Sequence, residues 1–260
     1  MNILDSIQAR YRNYKVEHFP LFEEGRTLRR LKDVHKGKRC FIIGNGPSLR
    51  ADDLTRIHHN GDISFGFNRV FHIFPQTPWR PTYYISQDEK ILKGSIDDIN
   101  GIPAQLKFYP IELKWYSGLK LKNPTFFHLS NNSVDFIPVF SDNIAKCIEN
   151  SNTVVYSAIQ IAVYMGIKEI YLIGIDHHFH ISMNSKGEIV VDPNVKDYFS
   201  AEYNLDKESL DIPEVDKSTL TFMAARKYVD SHGIKIYNAT RGGKLEVFER
   251  VDFDTLFPKS

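Results

Sequence analysis

The sequence predicts an α/β fold with a largely parallel sheet flanked by helices, and three observations carry that expectation. Short apolar runs alternate with helix-like segments along most of the chain. Two of the helical segments, 153–165 and 217–231, have clear boundaries: Asn152 and Asp216 stand where a cap belongs, Gly166 and Gly233 just beyond the far ends. Polar residues follow directly on several apolar runs, where an open parallel sheet binds its ligands. At 260 residues and 42% hydrophobic content the chain can bury one large core.

In order, residues 1–35 read as a helical extension, with Ile3, Leu4, Ile7 and Tyr11 on one face and Arg10, Arg12 and Lys15 off it. Such a face is expected to pack on the body or on a second copy of the chain, which would make a homo-oligomer, with a membrane surface as the lesser alternative. A domain of residues 36–257 follows, with strands expected at 39–43, 63–67, 82–86, 105–109, 125–129, 169–173 and 234–237. Residues 181–213 form a polar, irregular stretch, and a loop this long in a compact domain reads as a functional lid or a disordered segment.

Composition excludes several classes. The 33 basic and 32 acidic side chains nearly cancel, so no global field recruits nucleic acid. Two cysteines make no disulfide framework. The first residues lack the apolar core of a signal peptide, and no apolar run reaches membrane-spanning length. The expectation is a cytoplasmic protein without a membrane span, peripheral at the inner face of the membrane at most.

The segment FIIGNGPSLR poses the functional question. Gly44 and Gly46 would let backbone amides approach a phosphate or ribose, Asn45 can donate and accept, and Ser48 can cap the helix that follows. The loop lacks the third glycine of a dinucleotide fingerprint and the Lys-Ser/Thr ending of a P-loop. Alternatively it is a tight strand-to-helix turn. Asn68 ends the second strand, and Gln87 and Asp88 end the third. Asn68 could equally serve a turn, and Asp88 a helix cap.

The second half adds Thr153, Ser157, Gln160 and Tyr164 at i, i+4, i+7 and i+11, a polar stripe on an apolar helix. Thr153 lies at its start, where the helix dipole favours an anion. The strand EIYLIGID ends in Gly174 and Asp176, followed by His177, His178 and His180. Asp176 and His178 are candidates for acid–base work, with metal ligation the lesser alternative because zinc-like spacing is missing; no metal site is assigned. Past the last strand, Arg241 in NATRGG either neutralises a departing phosphate or is a surface arginine in a glycine turn.

The segments IIGNGPSL, GIKEIYLIGID and IKIYNATRGGKLEVFERV, in that order, resemble the 6-hydroxymethylpterin diphosphokinase MptE-like family over most of residues 36–252. The first two also resemble the Campylobacter-type bacterial sialyltransferases and the central domain of the motility accessory factors linked to flagellin glycosylation. The resemblance implies a Rossmann-like transferase with a nucleotide between the glycine loop and the Gly-Ile-Asp strand. In the sialyltransferase-like branch it implies a CMP-sugar donor held by Gly44, Asn45, Gly46 and Asn68, a glycan or lipid-linked acceptor, and a base where this chain has Asp216, which can equally be a helix cap. In the pterin branch it implies ATP and Mg²⁺, with Asp88 and Asp176 as carboxylates. The leading expectation is a glycosyltransferase of surface polysaccharide or glycoconjugate synthesis; the others are the diphosphokinase and a non-catalytic nucleotide-binding module.

Overall fold

The computed structural model describes residues 3–134, 137–200 and 212–257, so residues 201–211 of the expected lid lie outside the described residues. Eight parallel strands form one sheet: β1 (Arg39–Ile43), β2 (Ile63–Phe67), β3 (Tyr83–Ile85), β4 (Leu106–Pro110), β5 (Pro124–Phe127), β6 (Glu169–Ile173), β7 (Lys235–Asn238) and β8 (Glu249–Arg250). Their spatial order is β8-β7-β6-β1-β2-β3-β4-β5. The fold is a Rossmann-like α/β sheet flanked by helices.

The strands form where they do because a parallel sheet covered on both faces buries every side chain of its central strands. Cys40, Phe41, Ile42 and Ile43 of β1 are all fully buried. From β1 the chain winds outward through β2 to β5, then crosses back to lay β6 on the other side of β1, with Arg39 opposite Glu169 and Ile43 opposite Ile173. That reversal opens a crevice beyond the carboxyl ends of β1 and β6.

The helices are α1 (Ile3–Glu17), α2 (Glu23–Arg29), α3 (Ala51–Asn60), α4 (Glu89–Gly94), α5 (Ile96–Gly101), α6 (Ile111–Tyr116), α7 (Val154–Tyr164) and α8 (Val215–Ser231). Two expected caps are displaced by local chemistry. Thr153, not Asn152, caps α7, its Oγ1 accepting from Val155 N at 3.3 Å. Asn152 instead donates to Glu214 at 3.2 Å. α8 starts before Asp216, which therefore lies in its first turn and accepts from Ser185 N at 2.7 Å.

Of the polar stripe of α7, only Thr153 at its start lines a polar space. Gln160 is fully buried, its Oε1 accepting from Ser141 N and Glu149 N at 3.0 Å each, and Ser157 accepts from Gln87 Nε2 at 3.0 Å. Buried polar groups need partners, and here they fasten loops to the helix. The apolar face of α1 likewise does not pack on the body: Ile7 and Tyr11 are 58% and 54% exposed. The side chains of Ile3 and Leu4 lie outside the described residues. Within the expected lid, Ile181–Met183 and Ile189–Val191 pair as an antiparallel hairpin. Among the described residues no helix is long and apolar enough to cross a membrane.

Candidate functional site

The crevice widens into a cavity of about 920 Å³. Its lining brings together nine residues singled out from sequence: Gly44, Asn45, Gly46, Asn68, Asp88, Thr153, Gly174, Asp176 and His178. They arrive from the carboxyl ends of β1, β2, β3 and β6 and from the start of α7.

The floor is built by two loops that touch backbone to backbone. Gly44 N donates to Ile173 O at 2.8 Å and Gly46 N to Gly174 O at 2.9 Å. The amides expected to face a phosphate are therefore used to join β1 to β6. A Cβ on Gly44 would collide with the Gly174 carbonyl and Ile175, and one on Gly46 with the Asp176 carboxylate. Close approach of the two loops is thus what demands these glycines.

Ser48 does not cap α3, whose N-cap is Arg50. Its Oγ and N donate to Asp176 Oδ2 at 2.7 and 3.3 Å, clamping the glycine loop to β6. Burial pushes the Asp176 carboxyl above its ordinary range, and the Ser48 bonds pull it back. Asn45 Nδ2 donates to Phe67 O at 3.1 Å, tying the loop to β2 as well. Asn68 sits at a positive φ of 49°, a conformation that asparagine tolerates, and Ser86 Oγ donates to its Oδ1 at 3.1 Å. Asp88 lines the cavity and caps α4, its Oδ1 accepting from Lys90 N and Ile91 N at 2.8 and 3.2 Å.

Three predicted residues are not part of the lining: Ser48, Arg241 and Asp216. Arg241 is held by Asp53 through Nε and Nη2 at 2.8 and 2.9 Å and by Asp254 through Nη1 at 2.9 Å, so its guanidinium braces the last loop against α3. Asp216 stands outside the cavity in the first turn of α8.

The roof contributes titratable groups. His178 Nε2 lies 3.0 Å from Lys244 Nζ and 3.1 Å from Asp192 Oδ2 of the expected lid. Phe199 N donates to Asn45 O at 3.1 Å, joining that same segment to the floor. His177, which the sequence presents only as one histidine of three, has the most informative geometry. Its Nε2 lies 2.8 Å from Thr219 Oγ1, which itself donates to Val215 O at 3.0 Å. The threonine has one proton, so it accepts from His177 Nε2–H, and the lone pair resides on His177 Nδ1. Burial pushes the imidazole below its usual pKa, and the nearby Asp216 carboxylate opposes that shift.

Glu214, Ser218 and Phe222 also line the cavity. Their spacing of four marks one face of α8, visible in the sequence, but only the topology aims that face at the crevice. Among the described residues no three His, Cys, Asp or Glu side chains converge as a metal site.

A parallel α/β sheet with a glycine loop and polar strand ends around its reversal point defines the ligand-binding class of open-sheet proteins. The sequence profile of the 6-hydroxymethylpterin diphosphokinase MptE-like proteins matches residues 16–182, and the chain belongs to that family. No functionally curated protein matches it. Among solved structures it is similar to the MAf glycosyltransferase from Magnetospirillum magneticum AMB-1, with 14% identity, a TM-score of 0.51 and 92% of this chain covered. The chain spans only 39% of that protein's length. The sialyltransferase CstII from Campylobacter jejuni, solved with the substrate analogue cytidine-5'-monophosphate, aligns with 17% identity, 83% of this chain, 85% of its own and a TM-score of 0.47.

Proposed function

We propose that this chain is a nucleotide-dependent transferase, and specifically a glycosyltransferase that passes a sugar from a nucleotide-sugar to an acceptor hydroxyl in surface polysaccharide or glycoconjugate synthesis. The observation that carries the reading is the 920 Å³ crevice, with the glycine loop, two strand-end asparagines and the start of α7 on one side and a polarised imidazole on the other. The fold shared with the MAf glycosyltransferase supports it. The motif resemblance makes a CMP-sugar the first donor to test.

In this reading Asn45 and Asn68 hold the nucleoside, and Thr153 at the positively polarised start of α7 receives the phosphate. His177 Nδ1 takes the acceptor proton as the acceptor oxygen bonds to the anomeric carbon. The anomeric carbon–oxygen bond breaks, and the electron pair leaves on the nucleotide phosphate. Asp216, facing His177, stabilises the imidazolium that forms. Asp176 anchors the glycine loop, and Lys244, beside His178, places positive charge near the leaving group. The segment after His180 closes over the bound donor and keeps water from hydrolysing it. The acceptor is a glycan or a lipid-linked sugar met at the cytoplasmic face of a membrane.

The diphosphokinase reading would need Mg²⁺ on Asp88 and Asp176. Asp88 is engaged in capping α4 and Asp176 in clamping Ser48, with no third acidic or histidine ligand grouped with them among the described residues. The residues do not fit the ion, and no step is derived through it. A binding module without catalysis would bind nucleotide and turn nothing over.

The test is nucleotide release from a panel of nucleotide-sugars, compared with His177→Gln. The reading expects release to fall by about 100-fold or more in the variant, the usual loss for a general base, with nucleotide affinity retained. Equal rates in both proteins would remove His177 from the chemistry.

A further inference from the structure

An amphipathic helix normally turns its apolar stripe to the body and its charges to water. α1 does the reverse. Lys15, 8% exposed, donates to Glu24 at 2.7 Å, and the Arg12 guanidinium sits 4.6 Å over the Tyr116 ring, so cations fasten the helix to the body. Ile7, Tyr11 and Tyr14, spaced i, i+4 and i+7, are left 58%, 54% and 53% exposed. Tyr11 and Tyr14 meet Phe22 edge-on, which extends the stripe toward Leu21, itself 66% exposed. Buried Phe19 and Leu28 root the segment in the core, so the outward stripe is held in place.

Charge identifies what covers it. Residues 3–38 carry nine Lys and Arg against five Asp and Glu, whereas the whole chain is nearly balanced at 33 against 32. Arg10, Arg26, Arg29, Arg30, Lys32, Lys36 and Lys38 are exposed, and none forms an ion pair with a described residue. A second copy would meet this surface with like charge and with too few apolar side chains for a stable interface. Tyrosines beside an apolar side chain and a surplus of cations match the boundary of a bilayer with anionic headgroups.

We propose that the exposed face of α1, with the cations of residues 10–38, docks the protein on an anionic lipid surface. The inference does not depend on which group the crevice transfers.

The test is co-sedimentation of the full chain with vesicles of phosphatidylcholine alone or with added phosphatidylglycerol. The protein is expected to pellet with the phosphatidylglycerol vesicles and not with phosphatidylcholine alone, and to be released as salt screens the headgroups. The Ile7→Asp/Tyr11→Asp/Tyr14→Asp variant should weaken partitioning by about tenfold or more, as should Arg26→Glu/Arg29→Glu/Arg30→Glu. The first variant alters only exposed side chains, and unchanged thermal unfolding would establish that it folds. No binding to anionic vesicles, or binding by both variants equal to that of the unaltered protein, would overturn the proposal. So would a vesicle-free dimer that the first variant dissociates, which would give the stripe to a second copy.

Discussion

The floor and the roof of the crevice are built by different physics. The floor, Gly44–Gly46 against Gly174–Asp176, is backbone packed on backbone with no room for a methyl group. The roof, residues 178–200, is half-buried or exposed and, besides the Phe199 N bond to Asn45 O, is held by side-chain contacts such as Asp192 to His178 and Asp197, whose Oδ1 accepts from His180 N. Steric fit tolerates almost no change, whereas exposed polar contacts form and break at little cost. A tightly packed cradle under a cover held by such contacts is the arrangement that the proposed donor entry requires.

The largest expected effect comes from breaking the floor. Gly46→Ala drives a Cβ into Asp176 and should destabilise by about 3 kcal/mol, the upper end for overpacking, with nucleotide binding lost as well. A urea midpoint equal to wild type would show that the floor is softer than its packing implies. Next is Asn68→Gly, which keeps the positive-φ backbone but removes the amide. Nucleotide affinity should drop by about tenfold, the worth of one neutral hydrogen bond, while the melting temperature barely moves. If both change together, Asn68 serves the turn and not the ligand.

Acid pH separates the two regions further. The pKa of His177 and that of His35, which bonds Tyr83 OH at 2.7 Å, are both depressed, burial being the first cause. Above about pH 6.5 each is neutral folded or unfolded and contributes nothing. As pH falls below that value the unfolded chain takes up protons first, so stability declines until the lower folded pKa values are reached. Melting temperatures from pH 7.5 to pH 5 should fall, and more gently in His177→Gln. For turnover, Asp216→Asn removes the carboxylate that raises the His177 pKa, so the acid limb of the rate profile should shift to lower pH. The smallest effect belongs to the roof: Asp192→Asn should change stability by less than about 0.5 kcal/mol, as for an exposed pair. Its signature would be a higher KM for donor.

Much of the fold was legible because buried parallel strands read as uninterrupted apolar runs. The expected 39–43, 63–67 and 169–173 coincide with β1, β2 and β6. β8 was missed, being two exposed residues at the sheet's edge with no period to detect. At the site, residues placed at strand ends converged as expected, since topology alone delivers them there. Where side-chain partners decide the outcome, sequence offered only alternatives: Ser48 chose Asp176 over a helix cap, and Arg241 chose Asp53 and Asp254 over the cavity. The proton position on His177 depends on its meeting Thr219, a residue distant in sequence that already donates to Val215 one turn earlier in α8, and no local pattern contains that meeting.

The central claim is that the crevice binds a nucleotide. A thermal-shift panel of CMP, CDP, UDP, GDP, ADP and ATP, each with and without Mg²⁺, tests it most directly, because a ligand that binds only the folded chain raises its melting temperature. The account predicts stabilisation by CMP or a pyrimidine or guanosine diphosphate without the metal. Stabilisation by ATP only when Mg²⁺ is present, or by no nucleotide at all, would contradict it.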